Sequence, residues 1–277
     1  MYTLAKKQII VDKDNPVFMS VGGQVYDHKK RLLFCPQECD ATPAMEDVEI
    51  LCDYSYTMQH RHELVLNHPL RMLGDIFLGG HLDRLIIKAT VLNVKISPNT
   101  IDTVVLPETQ ASIARLFYNA TWISITDGHD REICRLTGAA LRHAADLSNN
   151  SPRLFDGRSL EDYISGKIKL DLPWLIRRHD EAFDEIKSGD DKLRMAMIRI
   201  VNPYLLDEQV AARLRLYLSR SMKRCLEYLC ETDDYFMLRK LCKTGLIHKR
   251  NVRNLVDITT RHNKTEWTAL LLQSAHE

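Results

Sequence analysis

Leu64-Val65-Leu66, Leu85-Ile86-Ile87, Val104-Val105-Leu106 and Ile123-Ser124-Ile125 recur between turn-rich stretches, and their spacing decides how the first half of this chain is read. The runs start 21, 19 and 19 residues apart. Each is too short for a helix and rich in leucine or β-branched residues, so each is expected as a short strand. A recurrence of about 20 residues marks repeat architectures, in which no single unit buries its own apolar face and stacking supplies the core. An antiparallel meander, which also spaces strands by turns, is the alternative. Between the first two runs, Leu73, Ile76 and Phe77 are placed to turn inward, and Gly79-Gly80 to relax the backbone before the next strand.

Upstream, Asp14-Asn15-Pro16-Val-Phe-Met-Ser20-Val-Gly22-Gly23-Gln-Val-Tyr26-Asp27 runs through His28 to Arg31 into Leu32-Leu33-Phe34-Cys35-Pro36. A turn, a short strand, a glycine turn, a G-x-x-Y-D hairpin and a leucine strand ending at proline follow in order. This resembles one coil of the surface-antigen type of bacterial leucine-rich repeat. Leu73 to Ala89 is more loosely similar to the commoner coil of that family. Lys88 stands in place of its proline, Gly80 in place of its cysteine, and Leu78 lies between Phe77 and Gly79. Cys39 to Arg61 departs further, so the resemblance implies a degenerate repeat.

Trp122 to Leu136 holds two alternating runs around Asp127-Gly128, the pattern of a β-hairpin that would close the sheet and cover its edge. Asp146 to Pro152 is polar and aperiodic and reads as a linker. Helical patterns follow. Pro173 fits a first turn, and residues 190–200 form a second helix stopped near Asn202-Pro203. Asp207-Glu208 begins the longest, with Ala211, Leu214, Leu218, Met222, Cys225, Leu226 and Leu229 as its apolar stripe. Shorter helices start near Asp234, Asn251 and Asn263. The stretch from Asp234 to Leu271, with its glycine exit at Gly245 and its Glu266-x-x-Ala269-x-Leu271 helix, is similar to ankyrin-like helical repeats. The expected fold is therefore α+β. A degenerate leucine-rich-repeat-like β solenoid or sheet over residues 1–145, closed by the hairpin, precedes a helical, ankyrin-like or α-solenoid domain over residues 153–277.

With 38 lysines and arginines against 37 aspartates and glutamates, no global field favours nucleic acid or an anionic membrane. The start of the chain has no apolar signal core, no run reaches membrane-spanning length, and seven cysteines lie in apolar contexts. A cytoplasmic location is the expectation.

Thiolate and imidazole are the ligands zinc prefers, which singles out Cys35, Cys39, Cys52, His60, His62 and His68. Their spacing lacks a second close cysteine pair, so buried thiols and surface histidines are the competing reading. On a strand, His60 and His62 would share a face and suit a metal or a general base. Asp14, Asn15, Asp127 and Asp130 offer oxygens without the calcium-loop ladder. Arg177-Arg178-His179 and His248-Lys249-Arg250 with Arg253 are read as cations near helix ends, where they would complement the dipole. There is no nucleophile elbow or phosphate-cradling glycine loop. No catalytic, cofactor or metal residue is therefore assigned. The expected function is a non-catalytic protein–protein interaction scaffold with an unidentified protein partner. The alternative is a zinc-binding protein or metal-dependent enzyme using the cysteines and histidines of residues 35–68.

Overall fold

In the first half, apolar residues recur often enough to make strands, and the lengths of those strands decide which sheet each joins. The structure is a computed structural model that describes residues 11–56, 59–77, 79–92, 94, 100–144 and 171–275. Ten strands are present among them: β1 Phe18–Val21, β2 Gln24–Asp27, β3 Arg31–Phe34, β4 Ile50–Leu51, β5 His60–Leu66, β6 Met72–Leu73, β7 His81–Ile87, β8 Ile101–Pro107, β9 Trp122–Thr126 and β10 Glu132–Thr137. They form two five-stranded sheets, ordered β1-β2-β3-β4-β6 and β10-β9-β8-β7-β5.

The expected leucine-rich-repeat-like solenoid is overturned by this arrangement. Both sheets are mixed. In the first, β1, β2 and β3 pair antiparallel, and β4 and β6 then add parallel to β3. In the second, β5, β7, β8 and β9 are parallel, and β10 returns after only the residues 127–131, a connection short enough for an antiparallel neighbour alone. The reason lies in β4 and β6. β6 sits between β5 and β7 in sequence yet joins β4 in the first sheet, and two-residue strands show no periodicity to read. The four apolar runs nonetheless align, Leu64 beside Leu85, Leu85 beside Val104 and Val104 beside Ile123, and all four are buried. Leu32, Leu51 and Leu73 form the matching buried row of the first sheet. Burying such a side chain contributes about 1.5–3 kcal/mol.

The segment from Cys35 to Met45 carries little regular structure, and buried polar side chains hold it. Tyr26 Oη accepts from the amides of Ala44 and Met45 at 2.9 and 3.2 Å, and Gln24 Nε2 donates to the carbonyls of Asp40 and Thr42. Tyr56 Oη donates to Ala41 O, and Gln59 Nε2 to Cys35 O, each at 2.5 Å. Leaving such buried backbone groups unpaired would cost about 1–3 kcal/mol each.

The helices are α1 Gly138–Ala144, α2 Leu172–Glu181, α3 Gly189–Val201, α4 Glu208–Thr232, α5 Tyr235–Cys242, α6 Lys249–Arg261 and α7 Thr265–Ser274. Caps define several of their ends. Ser188 accepts from Asp191 N, Asp207 from Gln209 N and Val210 N, and Asp234 from Met237 N. Ser188-Gly189 thus opens α3. The expected stripe of α4 is buried from Leu214 to Leu229, although Ala211 is not. The proposed linker from Asp146 to Pro152 lies outside the described residues.

The chain divides into two compact units, Met1–Ile133 with Thr137–Leu175, and Ile176–Glu277 with Cys134–Leu136. Among the described residues, no helix is long and apolar enough to cross a membrane.

Candidate metal centre

Side chains alternate along a strand, so His60 and His62 leave β5 on one side. The parallel register sets His60 beside His81 of β7, and His62, lying between the Arg61–Leu82 and Glu63–Arg84 pairs, beside Asp83. Asp102 of β8 falls next to Asp83 in the same way, between Leu82–Ile101 and Arg84–Thr103. Three imidazoles and two carboxylates from three neighbouring strands thereby meet on an exposed face of the second sheet.

An imidazole N–H of His60 donates through Nε2 to Asp83 Oδ1 at 2.8 Å, and His62 donates through Nδ1 to Asp83 Oδ2 at 2.7 Å. His81 Nε2 lies 3.1 Å from Asp102 Oδ2 and 3.6 Å from Asp83 Oδ1. The His60 ring centroid is 5.5 Å from that of His62 and 5.3 Å from that of His81. The hydrogen bond from His60, followed by that from His62, holds the Asp83 carboxyl below its ordinary range.

Two trios have ligand atoms mutually within 4.8 Å: His60, His62 and Asp83, and His81, Asp83 and Asp102. Zinc bonds nitrogen and oxygen at about 2.0–2.2 Å, so tetrahedral ligand atoms sit about 3.3 Å apart. The nitrogen–oxygen separations of 2.7 to 3.6 Å bracket that value. Each trio supplies three protein ligands, the number that leaves one position of a tetrahedral ion open.

The cysteines do not join them. Cys35 is buried, and its Sγ faces the carbonyls of Pro36 and Asp40 at 3.7 and 3.4 Å. Burial pushes its thiol up to about 11, the nearby Arg61 guanidinium only partly opposing this. Burial likewise raises Cys52. Arg61 donates to the carbonyls of Cys39 and Pro36 at 2.7 and 2.5 Å, fixing the cysteine segment as packing. Neither trio contains Cys35, Cys39, Cys52 or His68. Asp127 and Asn15 serve turns, Asp127 accepting from His129 N and Arg131 N, and Asn15 from Val17 N and Phe18 N. Arg178 and His179 do lie in the last turn of α2, whereas Lys249 and Arg250 open α6, opposite to the dipole-complementing position.

His81, Asp83 and Asp102 escaped the sequence reading although a signal for them was present. The offsets of 21 and 19 residues that align the apolar runs also carry His60 onto His81, His62 onto Asp83 and Asp83 onto Asp102. No protein-family model, curated protein or solved structure matches this chain.

Proposed function

We propose that this chain is a non-catalytic binding protein that takes up a divalent transition metal, zinc foremost, on the outer face of β5, β7 and β8. The observation that carries the reading is the meeting of His60, His62, His81, Asp83 and Asp102 on three adjacent strands, with ligand atoms at coordination spacing. Imidazole with carboxylate suits zinc and its neighbours in the first transition row, and not the all-oxygen shells of magnesium or calcium. Binding fits the setting better than turnover. Metal-assisted catalysis works in a dry, shaped cavity, whereas the His62 side chain is 92% exposed.

The test is zinc titration of the purified full chain by calorimetry, together with thermal melting. Saturating zinc should raise the melting midpoint, since a ligand at 100 times its Kd adds about 2.7 kcal/mol to the native state. The double substitution His62→Ala with Asp83→Asn should abolish uptake, while Cys35→Ser with Cys39→Ser should leave it intact. Failure of the wild-type chain to bind zinc, or loss of binding with the cysteines alone, would overturn the reading.

A further inference from the structure

Away from the sheets, Ser219 to Arg224 of α4 and Asn251, Asn254 and Leu255 of α6 line a groove of about 430 Å³. That volume lies within the range of small-ligand sites, about 300–1,000 Å³. Leu255 and Met222 are buried and give it an apolar wall, and the remaining lining is polar or cationic.

The charges there are unbalanced. Arg224 pairs with Asp190 at 2.9 Å. Arg220 and Lys223 form no ion pair with any carboxylate among the described residues, and the same holds for Lys249, Arg250 and Arg253. Arg220 and Lys223 stand three apart on α4, and Arg250 stands four before Asn254 on α6, spacings that share a helix side. The groove is thus flanked by cations from two helices, in a chain whose overall charge nearly cancels.

The position of the α6 cations adds a second argument. Lys249 and Arg250 occupy its first turn, which contains no acidic residue. The amino end of a helix carries partial positive charge, so these side chains oppose the dipole and destabilise the unliganded helix. A bound anion would reverse the sign of both effects.

We propose that the groove between α4 and α6 binds a small phosphate-bearing ligand. Guanidinium and ammonium groups recognise phosphate oxygens by charge-assisted hydrogen bonds, and the amide of Asn254 adds a neutral donor to the lining, whereas that of Asn251 is held in the α6 cap by Leu246 O and His248 N. A compact volume and the near-zero net charge favour a small ligand over a nucleic-acid strand, whose binding surface tracks many phosphates.

The experiment is isothermal titration of the purified full chain with inorganic pyrophosphate and, separately, with a mixed-sequence DNA single strand, at low and moderate salt. One pyrophosphate should bind per chain. Arg220→Gln and Lys223→Gln should each weaken it about tenfold or more, as expected for one lost charge-assisted hydrogen bond. Lys30→Gln, which removes a cation paired with Asp47 at 2.7 Å on the other unit, should change nothing. Arg250→Glu, in the first turn of α6 and on the side shared with Asn254, should weaken binding while raising the melting midpoint of the ligand-free chain, an outcome that misfolding would not produce. The absence of saturable pyrophosphate binding, or equal binding by all four variants, would overturn the proposal. So would DNA binding that falls steeply with salt and resists displacement by pyrophosphate, since the groove would then be a nucleic-acid track.

Discussion

Asp27 and Asp127 solve the same local problem with the same side chain. Each begins a hairpin turn of pattern Asp-x-x-x-Arg, accepts through Oδ1 from the amides two and four residues later, and receives the arginine Nε on Oδ2, at 2.7 Å in the first turn and 2.8 Å in the second. The residue before each arginine, Lys30 or Asp130, takes the left-handed conformation. Asp127-Gly128 marked the turn in the sequence, and within it Asp130, not Gly128, takes this conformation because the loop is longer than a two-residue turn. In the helical unit one carboxylate is used more completely. Arg199 and Asp180, both buried, pair at 2.7 and 2.9 Å, and Arg199 also donates to the carbonyls of Asn202 and Tyr204. Burial lowers the pKa of His179 despite its hydrogen bond with Asp180, so its neutral ring is the donor to that carboxylate. Removing one member of a buried pair strands the other charge. Arg199→Met should therefore cost about 3–5 kcal/mol in urea denaturation, and Asp180→Leu in the same chain should return a substantial part of it. A loss below about 1 kcal/mol would place the pair among solvated ones.

At the scale of elements, the metal face depends on how closely β5 and β7 begin side by side. His81 N donates to Gln59 O at 2.8 Å, setting the first rung that puts His60 next to His81. Gly80 makes this approach possible. A Cβ there would collide with the Gln59 carbonyl oxygen and lie 2.9 Å from its amide nitrogen, backbone atoms that cannot swing aside. Gly80→Ala is thus expected to destabilise the chain by about 1–3 kcal/mol, as overpacking does. It should also weaken zinc uptake beyond that of a surface control, measured by denaturation and calorimetry on one preparation; unchanged zinc affinity would show that the rung is not what positions His81. Gly80 was legible as a turn residue. Its second role was not, because a close backbone approach depends on the strand that pairs, and β7 pairs with a strand 21 residues away. The same limit explains the site. His60 and His62 were visible as a same-face pair, whereas their carboxylate arrives only through register. The longer helices were legible because apolar stripes and caps are local, and the division of strands between two sheets was not, because β4 and β6 are two residues long.

Across the whole molecule, acidic and neutral side chains have been pushed in opposite directions, which fixes the shape of its stability against pH. Hydrogen bonds from Arg131, then from the His129 amide, hold Asp127 at about 2. Burial would raise Asp27 and Asp180, but hydrogen bonds and pairing with Arg31, and with His179 and Arg199, outweigh it and leave both below the ordinary range. A depressed carboxyl favours the native state above its unfolded pKa and loses that contribution as pH falls through the native one, so the acid limb should open below about pH 4. At the other end, burial raises Cys35 to about 11, Cys225 to about 12 and Tyr56 well above its usual value. A raised thiol or phenol favours the native state while it stays neutral in both states. The unfolded chain ionises first as pH rises past about 8.5, so stability should fall from there towards the native values. Urea midpoints measured from pH 2 to pH 11 should therefore show a plateau with two falling limbs. Asp127→Asn should flatten the acid limb, because its amide cannot titrate, and Cys225→Ala should flatten the alkaline one even if its cavity lowers the plateau. An alkaline limb unchanged in the Cys225 variant would mean that this thiol is solvated and that the apolar stripe of α4 does not enclose it.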